Sequence, residues 1–134
     1  KIKTIDSQVV ELPIVGRIAA GLPIEAIETG ENTFCVPKVL VKGSDSFILE
    51  IKGASMIGAG INDGDFAIIK KQNTANNGDI AVALTNENEA TLKRFRKRGD
   101  TIALEAANES FETRIYSAGQ INIQGILIGL IRRY

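Results

Sequence analysis

The chain has 134 residues, 44% of them hydrophobic, and its 16 basic and 16 acidic side chains give a formal net charge of zero. That length fits one domain with a real core, and the neutral balance argues against a domain that binds nucleic acid through its own charge. Zero histidines and a single cysteine, Cys35, exclude a Ser-His-Asp triad, a Cys-His pair, an internal disulfide and a thiolate metal cluster, so neither metal nor cofactor is expected.

Residues 1–11 read as the end of an interdomain linker, and they hold no apolar signal core. From Val15 to about Glu31 the chain is rich in small residues, with Gly16, Ala19, Ala20, Gly21 and Pro23, and looks poorly suited to core packing. Cys35, between Phe34 and Val36, reads as a small packing residue. Phe47, Leu49 and Ile51 alternate with Ile48, Glu50 and Lys52, the period of a strand. A glycine-rich stretch, Gly53 to Gly60, follows directly and contains Ser55. Turns at Asn62–Asp65, Asn76–Asp79, Thr85–Glu89 and Gly99–Asp100 separate short apolar runs beginning at Phe66, Ile80, Ala90 and Thr101. The last run, Gln120 to Ile131, is β-branched and apolar, with Gly125 and Gly129 as bends or bulges. The expectation is a mainly β domain built from hairpins over residues 12–134. No run approaches the roughly 20 apolar residues of a membrane helix, so a soluble, cytoplasmic protein with no membrane partner is expected.

Without histidine, any hydrolytic chemistry needs another base. Ser55 sits after a strand among small neighbours, where a peptide backbone can approach closely and free N–H groups can receive an oxyanion. The same surroundings fit a plain turn serine. In the run Ala90 to Arg96, Thr91, Lys93 and Phe95 share one face, while Leu92, Arg94 and Arg96 share the other, which the arginines mark as wet. Lys93 beside Phe95 can then face apolar surroundings, where burial lowers an amine's pKa toward that of a usable base. It also fits a lysine whose stem lies on the surface with its ammonium in water.

The segments together resemble the C-terminal self-cleaving domain of LexA-type SOS-response repressors. Leu12 to Gly21 is similar to the family's cleavage-site region, Gly53–Met56 with Gly60–Asp65 to its nucleophile segment, Gly78–Ala83 with Thr91–Phe95 to its lysine-bearing hairpin, and Gly125–Arg132 to its last strand. The match runs in order over nearly the whole chain from Leu12. The resemblance implies a compact fold of the LexA and signal-peptidase kind and a serine endopeptidase acting on itself. Ser55 would be the nucleophile and Lys93 its base, with the Ala20–Gly21 bond as substrate. Backbone N–H groups of Ala54 and Ser55 would form the oxyanion hole, and Ile18 an apolar subsite contact with Ala19 beside it. It also implies stimulation by the RecA filament on single-stranded DNA. Operator DNA would be bound only through an N-terminal domain absent from this sequence. The strand Ile126 to Ile131 would leave an apolar edge, which pairing with a second copy in a homodimer would cover. A translesion-polymerase subunit precursor of the UmuD kind and a prophage repressor share the dyad. More distant alternatives are a signal-peptidase relative that has lost its anchor and a non-enzymatic β module.

Overall fold

A computed structural model describes residues 3–4, 8–19, 25–26 and 32–134. The elements run β1 (Lys3–Thr4), β2 (Val9–Ala19), β3 (Glu25–Ala26), β4 (Thr33–Pro37), a short helix α1 (Lys38–Val41) and β5 (Ser46–Lys52). After a 3-10 turn at Ile57–Ala59 come β6 (Phe66–Lys71), β7 (Ile80–Thr85), β8 (Ala90–Arg98), β9 (Thr101–Glu105) and β10 (Arg114–Ser117). A second 3-10 turn, Ala118–Gln120, leads into β11 (Ile121–Ile131). The fold is mainly β, as expected, and the turns rich in Asn, Asp and Gly lie between the strands they were expected to separate.

The principal sheet order is β1-β2-β5-β6-β11-β7-β8-β9-β10, with β3 and β4 also pairing with β2. Most neighbours are antiparallel, but β2 and β5 run parallel, with Ile18 opposite Ile51 and Ala19 opposite Lys52. Two apolar clusters account for most of the core. One gathers Ile18, Leu49, Ile51, Met56, Ile69 and Leu92, from β2, β5, β6, β8 and the turn after β5; the other joins Leu12, Val36, Ile48 and Ile68. A third, around Ala81, Phe95, Ile102 and Leu104, packs β7, β8 and β9.

Four expectations change. Residues Val15–Ala19 belong to β2, where Val10, Leu12, Ile14, Gly16 and Ile18 form one buried face. The small side chains there had obscured a regular period of two. That strand begins at Val9, and Val10 is only 2% exposed. Cys35 is exposed, because alternation along β4 turns Phe34 and Val36 inward and leaves the thiol outside. In β8 the two faces are not dry and wet. Residues 90–93 are all buried, Leu92 included, and only Arg96, Lys97 and Arg98 emerge as a solvated end.

The fourth concerns β11, which is central rather than an edge. It pairs with β7 over Ile121–Ile126 and with β6 over Gly125–Ile131. Among the described residues, Ile121–Ile123 have a ladder partner only in β7 and Leu127–Ile131 only in β6, so each end of the strand is open on one side. The expected bulges are present, with register shifts between Ile123 and Gly125 against β7 and between Leu127 and Gly129 against β6. A Cβ at Gly125 would lie 2.5 Å from the Lys70 carbonyl oxygen and 2.5 Å from Ile69 Cγ2, so the strands approach as closely as they do because this residue has no side chain. Among the described residues, no helix is long and apolar enough to cross a membrane. Substituting Gly125→Ala is expected to destabilise the fold by about 1–3 kcal/mol through overpacking against β6, read as a lower urea midpoint with an unchanged denaturant slope.

Candidate active site

The strand β5 delivers the chain to one end of the sheet at Lys52. Gly53 there takes a positive φ of 92°, which turns the backbone sharply out of the strand, and its N–H donates to Asp63 Oδ1 at 2.8 Å. Ser55 follows in this turn. The loop beyond it is tied down from the far end of the chain. Asp65, 2% exposed, accepts from the Asn62 N–H at 2.7 Å and from Arg132 Nε and Nη2 at 2.8 and 2.7 Å. Arg132 Nη2 also donates to the Gly60 carbonyl at 2.7 Å. The guanidinium holds the Asp65 carboxyl below the usual carboxylate range despite the opposing effect of burial, and the Asn62 N–H adds to the lowering. This bidentate pair fixes the residues that follow Ser55 to the end of β11.

Lys93 reaches the same place from β8, where it lies opposite Ala81 of β7. Its side chain is 7% exposed, and its Nζ is 3.3 Å from Ser55 Oγ. Nζ also donates to Thr91 Oγ1, two residues earlier on the same face of the strand. Both of its hydrogen-bonding partners among the described residues are hydroxyls, so no carboxylate bonded to the amine offsets the loss of hydration. Burial pushes the Lys93 pKa down from its ordinary value to about 8, and the Arg114 guanidinium pushes the same way. Arg114 lines, with Thr91, Lys93, Leu104, Phe111 and Tyr116, a cavity of about 320 Å³, and Glu89 and Glu112 also border it.

The neutral amine has one lone pair. With an N–H committed to Thr91, that pair is free to take the Ser55 proton, and a deprotonated serine is a nucleophile. The backbone N–H groups of Ala54 and Ser55 are outside the β5 ladder and, among the described residues, are taken by no acceptor. Ile18 is 2% exposed, in the cluster that contains Met56 and Leu92, and Ala19 lies beside Lys52. Ala20 and Gly21 lie outside the described residues. Among the described residues, no group of three His, Cys, Asp or Glu side chains is placed to hold a metal ion.

Three contributors were not singled out in the sequence. Thr91 could have been, because the period of two had already placed it on the face of Lys93. Ala107 and Asn108 could not, because they sit in an irregular turn between β9 and β10 and no periodicity marks them. They contact the Ser55 turn through the Ala107 N–H to Ser55 carbonyl bond, 2.9 Å, and the Asn108 Nδ2 to Ala54 carbonyl bond, 2.8 Å.

A serine hydroxyl within range of a buried, weakly basic amine, on a mainly β scaffold, is the working layout of a serine hydrolase that dispenses with histidine. Residues 13–128 match the model of the Peptidase S24-like family. The chain belongs to that family. It is also similar to the LexA repressors of two strains of Cereibacter sphaeroides, ATCC 17029 and ATCC 17023, at 56% identity to each over 125 residues, 92% of this chain. The chain spans about half the length of these curated relatives, 55% in both cases.

A lysine whose folded pKa lies below its unfolded value binds fewer protons when folded. Its desolvation cost is therefore present below pH 8 and is relieved as pH rises from about 8 toward its ordinary value of 10.5. Substituting Lys93→Met is expected to stabilise the fold at pH 6.5 by roughly 1–2 kcal/mol, with the gain shrinking toward pH 10. Urea unfolding of both proteins at the two pH values checks this.

Proposed function

We propose that this domain cleaves its own Ala20–Gly21 peptide bond, with Ser55 as nucleophile and Lys93 as general base. The observation that carries the reading is the 3.3 Å separation between Lys93 Nζ and Ser55 Oγ, with the amine buried and its pKa near 8. The parallel register of β2 and β5 supports the intramolecular substrate. Both strands run toward the same end of the sheet, so the residue after Ala19 starts within one Cα step, about 3.8 Å, of a residue paired with Lys52. The burial of Ile18 against the Ser55-side cluster supports its role as the apolar subsite residue, with Ala19 between it and the scissile bond.

In this mechanism Lys93 takes the Ser55 proton as Oγ attacks the Ala20 carbonyl carbon. Negative charge on the carbonyl oxygen is received by the N–H groups of Ala54 and Ser55. Collapse expels the Gly21 nitrogen, which takes the proton back from Lys93, and leaves an ester between Ser55 and Ala20. Lys93 then activates a water molecule that hydrolyses the ester and frees Ser55. Thr91 orients the amine throughout. Because the substrate is part of the chain, covalent attachment replaces binding energy for a separate peptide.

The relatives carry the name LexA repressor. By that likeness the whole protein would be an SOS-response transcriptional repressor in the cytoplasm, silenced when this bond is cut. Operator DNA would be bound by the part of the relatives that this sequence does not span. The RecA filament on single-stranded DNA would accelerate cleavage by favouring the docked state of the cleavage segment, a population shift limited by its preference for that state. The half-exposed apolar segment Leu127–Ile131, open on one side, supports a homodimer in which a second copy covers it.

Incubation at pH 10 without any partner is expected to give two fragments whose masses place the cut between Ala20 and Gly21. The rate should rise about tenfold per pH unit below 8 and level off above it, since only the neutral amine is a base. Ser55→Ala and Lys93→Ala should abolish the cut, and a variant that cuts at the wild-type rate would overturn the assignment. Sedimentation at tens of micromolar is expected to give a dimer, and a monomer alone would remove the second copy from the reading.

A further inference from the structure

The turn that carries Ser55 is gripped by a second turn, residues 106–110, between β9 and β10. Asn108 Nδ2 donates to the Ala54 carbonyl at 2.8 Å, the Ala107 N–H donates to the Ser55 carbonyl at 2.9 Å, and the Gly58 N–H donates to the Ala107 carbonyl at 2.6 Å. The contact is too tight to admit a side chain at residue 58, where a Cβ would lie 2.5 Å from the Ala107 oxygen. Two of these three bonds are made by backbone alone. The third depends on one side chain, that of Asn108.

The identity of that side chain is determined at both ends of its amide. Its Oδ1 accepts the Ser110 N–H at 2.9 Å, which leaves the Nδ2 end to face the Ala54 carbonyl. The Ala54 carbonyl and the Ser55 N–H belong to one planar trans peptide and point in opposite directions. A donor that fixes the carbonyl on one face therefore aims the N–H on the other. That N–H has no acceptor among the described residues. The geometry points to Asn108 as a positioning residue for oxyanion stabilisation: by holding the Ala54 carbonyl it aims the Ser55 N–H at the oxygen of the attacked carbonyl.

This inference rests on Ser55 being the nucleophile, and its test separates the two. Asn108→Asp keeps the shape and the acceptor for Ser110 but puts a carboxylate where the donor was. Asn108→Ala removes the bond without adding charge and carries the test where the aspartate variant fails to fold. For either, the plateau rate of self-cleavage above pH 9 is expected to fall about 10–100-fold, part of the effect of deleting an oxyanion donor outright. For the alanine variant the midpoint of the pH profile should stay near that of the wild type. A plateau equal to wild type overturns the inference, and so does a slowing produced wholly by a moved midpoint, which would mean that Asn108 acts through Lys93. A second reaction distinguishes aiming from mere support. In a Ser55→Cys background that also carries Cys35→Ser, alkylation by iodoacetamide develops no oxyanion, so its rate is expected to be unchanged by Asn108→Ala. A parallel loss there would assign Asn108 to placing the side chain at residue 55 and overturn the inference. Wild-type protein that does not cleave at alkaline pH sinks the proposed function itself, a failure seen before any variant is made.

Discussion

The structure turns on a lysine that has been taken out of water with, among the described residues, no carboxylate bonded to it. An ammonium in such a place loses hydration that two hydroxyl contacts do not replace, so the neutral form gains at its expense. Apolar packing on both faces of β8 at residues 90–93 achieves this, with the Arg114 guanidinium adding repulsion from across the cavity. The consequence is an amine whose pKa of about 8 lies close to neutral pH, so that a minority of molecules carry it unprotonated there. In the proposed reaction, slow chemistry at neutral pH would follow from this packing, which would suit a substrate that is part of the same chain.

The second constraint is the parallel pairing of β2 with β5. Parallel neighbours need a crossover, and the chain uses β3, β4 and α1 to return to the start of β5. The result is that the strand leading to the proposed scissile bond and the strand leading to the proposed nucleophile end side by side. Ordinary sheet hydrogen bonds thereby align the proposed substrate, with Ile18 seated as one more core residue. The stability of the fold and the positioning of the segment before the bond draw on the same contacts.

Much of this was legible in the sequence. Turn residues marked the strands from Phe66 to Glu105, because Asn, Asp and Gly act locally and need no partner to be recognised. The glycines of β11 were legible as bulges for the same reason. Burial was harder to read. Leu92 and the exposed Cys35 were misassigned because facing depends on which strands lie on either side, and that is decided by residues far away in the chain. The central place of β11 was hidden likewise, since an apolar strand looks the same in the middle of a sheet as at its rim. Ser55 and Lys93 were each unremarkable by local pattern. Their pairing was named by family resemblance, and their closeness is a property of the folded sheet.

The two bulges in β11 have a geometric consequence. Ser55 hangs from the end of β5 and Lys93 sits on β8, and between those strands the ladder passes through β6, β11 and β7. In a flat sheet four successive spacings would hold the two strands about 19 Å apart. Yet Lys93 Nζ and Ser55 Oγ are 3.3 Å apart, so the sheet is rolled, and β11 is the spine about which it rolls. With one extra residue in β11, Gln124, bulged against β7 and another, Ile128, against β6, that spine joins two half-sheets, one bearing Ser55 and the other Lys93. The distance between Ser55 and Lys93 is therefore a gauge of curvature. A chain that kept every strand but unrolled would lose the pair while changing neither residue.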